Sequence, residues 1–132
     1  QSVVVSIDVK RNWLKRPELY EHRIGKAHKM AWLDFAKRAV AAGAGEVLIN
    51  AVDRDGEMKG MDLDLIREAS TTLSVPLIAL GGVGSMKDIK DAVDAGASAV
   101  AAGAFFVFHG PHRAVLITYP LYHELEILLN NN

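Results

Sequence analysis

The sequence predicts an α/β fold, a parallel sheet covered by helices. Three observations carry this: apolar β-branched runs, helical periodicity between them, and glycines at the joints from helix to strand. The runs are Val3-Val4-Val5-Ser6-Ile7, Val47-Leu48-Ile49, Pro76-Leu77-Ile78-Ala79-Leu80 and Ala99-Val100-Ala101-Ala102. Continuous apolar runs of this length are expected to be strands buried on both faces, the habit of parallel sheets. Between them, Trp32, Phe35, Ala36, Ala39 and Val40 share one helical face, and Leu63, Ile66, Ala69, Ser70 and Leu73 share another. Ser85 is placed to cap a third helix whose inner face carries Ile89, Ala92 and Val93. Gly43, Gly45 and Gly96 stand where helices should stop.

The resulting order is βαβαβαβα. An open doubly wound sheet and part of a closed barrel both fit that alternation. The joints Gly43-Ala44-Gly45-Glu46 and Gly96-Ala97-Ser98-Ala99 repeat one rhythm, which favours barrel units. A closed barrel takes about eight units and about 250 residues, whereas this chain has 132 residues. The whole chain, 1–132, is therefore expected to be a single half-barrel domain. Residues 110–132 form its tail, with a terminal helix over Tyr119 to Leu129 capped by Thr118. Four strands cannot close, so two sheet edges and an apolar inner face are left open, and self-association is expected. The chain opens directly on a strand, with no initiator Met and no leader, and reads as a fragment or processed piece.

Bulk composition narrows the function classes. The formal net charge is −1, so no basic excess exists to neutralise nucleic acid or an anionic membrane surface. No apolar run approaches the roughly 20 residues of a spanning helix. There are no cysteines, which excludes disulfides and thiolate chemistry and permits a reducing cytoplasm, the expected location.

The chemistry-bearing residues cluster after the strands. Asp8 is expected to end the first strand, at the mouth where barrel active sites are built, as a general acid or base or as a loop-capping residue. Asp53-Arg54-Asp55-Gly56 follows the second strand and suits a tight turn. The segment runs on through Glu57 and Lys59 to a helix near Asp62, longer than a turn requires. Gly81-Gly82-Val83-Gly84-Ser85 follows the third strand, and Gly103 the fourth. Glycines let backbone N–H groups approach an anion, and a helix N-terminus just beyond adds favourable partial charge. Two such loops on neighbouring units point to a phosphate site; neither is a Walker loop or a dinucleotide fingerprint. His22, His28, His109, His112 and His123 have no metal-ligand spacing, so no metal or cofactor is expected. Lys10-Arg11 and Lys15-Arg16 make the loop after the first strand basic, either to fold over an anion or simply as a solvated loop.

These segments, in this order, resemble the second half of the cyclase subunit of imidazole glycerol phosphate synthase, over roughly residues 3 to 108. The resemblance implies the C-terminal (βα)4 half of a TIM (β/α)8 barrel. It implies a lyase that works with a glutamine amidotransferase partner, whose ammonia travels through the barrel. The ammonia adds to a phosphorylated ribulosyl-formimino carboxamide ribotide, giving imidazole glycerol phosphate and an aminoimidazole carboxamide ribotide. Two aspartates act as acid and base, and Asp8 matches the second. Asp55 and Gly56 match the loop lining the substrate, and Gly81, Gly82 and Gly103 match one of two phosphate sites. Glu46, at the opposite end of a strand, matches a charged ring that gates ammonia.

The sequence also departs from the family. Leu80 and Gly103 stand where biosynthetic members often carry hydroxyl residues near the phosphate. Glu57 replaces the usual threonine after Asp-Gly, and Gly25-Lys26-Ala27-His28-Lys29-Met30 lacks an expected threonine-glycine. His109-Gly110-Pro111-His112-Arg113 and Ile117-Thr118-Tyr119-Pro120 resemble paralogues found with surface-polysaccharide genes. Those pass ammonia to an amidotransferase system that makes acetamidino sugars. Two alternatives to the cyclase follow: such an ammonia-channelling subunit, or an isolated half-barrel that only self-associates.

Overall fold

The structure, a computed structural model, describes residues 3–109, 114–115 and 122–130. In chain order the elements are β1 (Val4–Arg11), β2 (Pro17–Glu21), β3 (Lys26–Ala27), α1 (Trp32–Ala41), β4 (Glu46–Ala51), α2 (Leu63–Thr72) and β5 (Leu77–Leu80). They continue with α3 (Met86–Asp94), β6 (Ala99–Ala101), α4 (Ala104–Val107), β7 (Phe108–His109), β8 (Ala114–Val115) and α5 (Tyr122–Asn130). The main sheet runs β3-β2-β1-β4-β5-β6, and β1, β4, β5 and β6 run parallel to one another within it. The four expected strands and three expected helices are all present. Thr118, Tyr119, Pro120, Pro111 and His112 lie outside the described residues, and the last helix is described from Tyr122.

The helix-to-strand joints after α1 and α3 use the same ending. At α1, Gly43 (φ +110°) lets its N–H donate to Val40 and that of Ala44 to Ala39, both at 3.0 Å. At α3, Gly96 (φ +119°) and Ala97 donate to Val93 and Ala92 in the same way, again at 3.0 Å. This is the Schellman arrangement, which satisfies the last helical carbonyls and needs a left-handed residue that glycine alone adopts without strain. Ser85 caps α3 as expected, accepting from the Asp88 N–H at 3.2 Å.

Burial follows the open inner face expected of four unclosed strands, and not the two-sided burial that the continuous apolar runs alone suggest. The strands are buried on one face only. Ile7, Val9, Val47, Ile49, Leu77 and Ala79 lie under the helices with Trp32, Ala36, Leu65, Ile66, Ala69, Ile89 and Ala92. The alternate residues Leu48, Ile78 and Leu80 are only half-buried, and Val4 is exposed. Register explains it. Ile7, Ile49, Ala79 and Val100 form one row, and Asp8, Asn50, Leu80 and Ala101 form another on the opposite face. In a closed barrel that second face is covered by strands from across the barrel.

The loop after β1 also differs. It carries structure of its own: β2 and β3 form an antiparallel hairpin on the far side of β1 from β4, with Val9 opposite Leu19 and Tyr20 opposite Ala27. Arg11, one of the basic residues after the first strand, is committed to Asp62. Its Nε donates to Oδ2 at 2.7 Å and a second guanidinium nitrogen to Oδ1 at 2.9 Å. Asp62 is 5% exposed and caps α2 through the Leu65 N–H at 3.2 Å. Burial pushes its carboxyl upward, but Arg11 and the capping N–H outweigh that and hold it below the ordinary carboxylate range.

A carboxyl held low stabilises the fold above its unfolded value and loses that contribution as pH falls through the folded one. Asp62→Ala removes a cap and strands Arg11, so thermal or urea unfolding is expected to show a loss of about 2–4 kcal/mol at neutral pH. Asp62→Asn keeps a cap and loses less, and its deficit against the parent shrinks below about pH 4.

Candidate functional site

The sites expected from sequence fall into three places along the sheet. The first is a small cleft at the C-terminal ends of β5 and β6. Asp55, Gly56, Gly81, Gly82 and Gly103 all line it, with Leu80, Val83 and Ala101 through Ala104. Three separate loops thus bring together every residue expected to bind substrate or phosphate. Asp55 is the charged residue of that lining, so an anion there would be held by backbone N–H groups. Glu57 is not part of the lining; it is exposed and pairs with Lys59 at 3.5 Å.

The glycines have a second reason to be glycine. The loop from β4 to α2 crosses directly over the loop from β5 to α3, and the Gly60 N–H donates to the Gly82 carbonyl at 2.8 Å. A Cβ on Gly82, whose φ is +101°, would lie 2.1 Å from the Gly60 oxygen, and one on Gly84 2.1 Å from the Met58 oxygen. Arg54 fastens the upper loop, donating to the carbonyls of Gly60 at 3.1 Å and Met61 at 3.3 Å. Its turn is the one expected: the N–H groups of Arg54 and Asp55 both donate to the Ala51 carbonyl at 3.0 Å. The Gly84 N–H is already taken by the Asp88 carboxylate at 2.9 Å, so that end of the loop is not an anion cradle. Beyond Gly103 the helix is a single short turn, α4, and adds little dipole.

The second place is Asp8. It does not end β1, which continues through Arg11 because β2 pairs alongside Val9, Lys10 and Arg11. The parallel ladder to β4 also reaches past Asp8, to Val9 opposite Ala51. Asp8 is still at the mouth side of the inner face, with its side chain 28% exposed. Its Oδ1 accepts from Asn50 Nδ2 at 3.1 Å, and its Oδ2 lies 3.1 Å from His22 Nε2. Sequence reading passed over both neighbours. Asn50 had a usable signal, the polar last-but-one position of a strand beside Asp8's; His22 had none, since its contact depends on an unforeseen hairpin.

Asp8, Asn50, Leu80 and Ala101 share one row of the sheet, and the last two line the cleft. Two strand spacings separate Asp8 from Leu80, about 10 Å. The third place is Glu46, which heads β4 opposite Val4, with the same alternation as Leu48 and Asn50. It therefore belongs to the inner face at the end remote from Asp8.

The two roles of the glycines can be separated. Gly82→Ala is expected to cost more than about 1 kcal/mol of stability, because both space and φ oppose it. Gly103 has open space around a would-be Cβ. Gly103→Asp should leave unfolding within about 0.5 kcal/mol of the parent and abolish phosphate binding followed by amide NMR. Unmoved amide signals of the 81–83 and 102–104 loops on titrating phosphate into the parent would rule out an anion site.

Over residues 1–112 the chain matches the family model described as "Histidine biosynthesis protein". A Leptospira interrogans protein named "Putative imidazole glycerol phosphate synthase subunit HisF" is 42% identical over 130 residues, covering 97% of this chain and 51% of that protein. A Pseudomonas aeruginosa protein whose corresponding name ends in hisF2 is 41% identical over 128 residues, covering 96% and 51%. A Vibrio vulnificus protein whose name ends in hisF3 is 38% identical over 125 residues, covering 91% and 47%. The chain spans about half the length of the curated relatives it matches. Parallel strands flanked by helices, a polar mouth-side row and this match together place the chain in the histidine biosynthesis protein family, a family of TIM-barrel fold, as a HisF-like member.

Proposed function

We propose that this chain provides the second half of a cyclase barrel of the imidazole glycerol phosphate synthase type, with Asp8 as its proton-transfer group. The observation that carries the reading is the shared row: a partly exposed carboxylate and a glycine-lined cleft at the same level of the sheet, about 10 Å apart. A substrate anchored by a phosphate in the cleft would reach Asp8 with its reacting atoms. Asp8 gives or takes a proton as the ring closes, and its counterpart acid comes from the other half of the barrel. Glu46, at the far end of the inner face, stands where ammonia from a glutamine amidotransferase subunit would enter.

A second reading is an ammonia-conducting paralogue serving a sugar-modifying system. Leu80 and Gly103 favour it, because the cleft lacks the hydroxyls that would strengthen a phosphate site. The two readings differ in outcome. For the cyclase, Asp8→Asn in the full-length protein lowers cyclisation at least about 10²-fold with folding intact, since acid–base catalysis contributes about 10²–10⁴-fold. For the paralogue, Asp8→Asn leaves ammonia delivery unchanged while a bulky replacement of Glu46 impairs it. Assays with ammonium salt, then with glutamine plus partner, separate them; near-normal cyclisation by Asp8→Asn sinks the cyclase assignment.

Taken alone, the chain leaves Val4 exposed and Leu48, Ile78 and Leu80 only half-buried on the inner face. Burying apolar area is worth about 25 cal/mol per Å², so the isolated chain is expected to pair with a second copy. Sedimentation at micromolar concentration tests this, and a compact monomer would contradict it.

A further inference from the structure

His22 takes no part in the proton transfer assigned to Asp8, yet its ring sits on that carboxylate. The two oxygens of Asp8 have separate partners, Asn50 Nδ2 on Oδ1 and His22 Nε2 on Oδ2, each at 3.1 Å. An aspartate's terminal torsion is intrinsically broad, since rotation about a bond from tetrahedral to planar carbon has no steep staggered wells. Partners on both oxygens convert that broad well into one plane. Proton transfer needs such a plane, because the accepting lone pair has to meet the reacting atom within hydrogen-bond reach.

The surroundings are arranged to keep both partners in place. The His22 ring meets the Tyr20 ring edge-on, with centroids 4.9 Å apart and planes at 89°. Tyr20 in turn lies under Lys10 Nζ, 5.3 Å from its centroid. The hairpin that carries His22 is pinned to β1 by the pairs Val9–Leu19, Lys10–Glu18 and Arg11–Pro17. Asn50 donates to Asp8 while its own buried Oδ1 has no hydrogen-bond partner among the described residues. That orientation carries the desolvation cost of an unsatisfied oxygen, and it offers the donor end to the carboxylate. His22 itself is 59% exposed and adds little to the core. Its contact with Asp8 is thus separable from folding.

We propose that His22 is a positioning residue for Asp8, holding the carboxylate plane from the hairpin side while Asn50 holds it from β4. This rests on the assignment of proton transfer to Asp8. The hairpin thereby becomes part of the active site, although none of its residues lines the cleft.

The test uses the full-length protein with ammonium salt as nitrogen source, comparing Asp8→Asn, His22→Ala and His22→Gln. His22→Ala is expected to lower kcat about 10–100-fold, the scale of a small misplacement of a reacting group. KM should stay within about threefold, as for an interaction that matters only in the transition state. His22→Gln can donate from its amide to the same oxygen and should recover most of the loss, and both variants should melt with the parent. Independently of activity, the ring-nitrogen NMR signals of His22 should move in Asp8→Asn while those of His28 do not. Full kcat in His22→Ala beside an inactive Asp8→Asn would overturn this proposal alone. So would a rise in KM without a fall in kcat, or a His22→Gln no better than His22→Ala. An active Asp8→Asn would overturn the cyclase reading, and the role of His22 with it.

Discussion

The parallel register of β1, β4, β5 and β6 decides what every other part of the molecule can be. Side chains alternate between the two faces of a strand, so a fixed register turns neighbouring strands into rows. One row, Ile7, Ile49, Ala79 and Val100, goes to the helices and becomes core. The adjacent row, Asp8, Asn50, Leu80 and Ala101, goes to the inner face and carries the polar chemistry. A slip of one residue in β1 alone would send Asp8 among the apolar helical side chains and bring Ile7 to the site. Stability and chemistry thus hang on the same hydrogen-bonded ladder, and the helices serve mainly to cover its apolar side.

Two devices keep that ladder in place at its mouth end, where loops are longest. One is the partly buried pair of Arg11 and Asp62, which joins the end of β1 to the start of α2. It is bidentate, and the same carboxylate caps the helix. Such a pair fixes geometry more than it adds net stability, because two desolvated charges must first be compensated. The other is the crossing of two loops at Gly60 and Gly82, where the Gly60 backbone leaves no room for a side chain on Gly82. Glycine at position 82 is a steric requirement before it is a binding feature. The cleft exists because the loops cross there.

Much of this was legible in the residues. Apolar runs and the glycine joints gave the four strands and their helices, since local propensity and tertiary burial agree there. Ser85 and Asp62 were placed near helix starts by the same local chemistry. The loops that meet at the cleft could be named because glycine and acidic residues cluster after strands. The hairpin was not legible: Pro17-Glu18-Leu19-Tyr20-Glu21 has little apolar alternation, and Lys26-Ala27 is too short to show any. The apolar runs alone suggested burial on both faces, because a continuous apolar run reads alike whether its second face meets helices or the inside of a barrel; the open inner face followed only from the count of four units. The His22 contact was invisible for a simpler reason. It depends on chain direction after a turn, which no local pattern encodes.

The hairpin has a consequence for assembly. Along β1 the edge away from β4 is occupied by β2 at Val9, Lys10 and Arg11, whereas Val4 through Asp8 have no strand beside them on that side among the described residues. A strand arriving from elsewhere can therefore run alongside only the lower part of β1, and must stop or turn away where β2 begins. The hairpin acts as a mechanical stop. It fixes the stagger with which the sheet can be extended, and so the shear of any barrel completed on this edge. An incoming strand that overshoots by one or two residues would meet backbone already hydrogen-bonded, and would be rejected before its side chains were read.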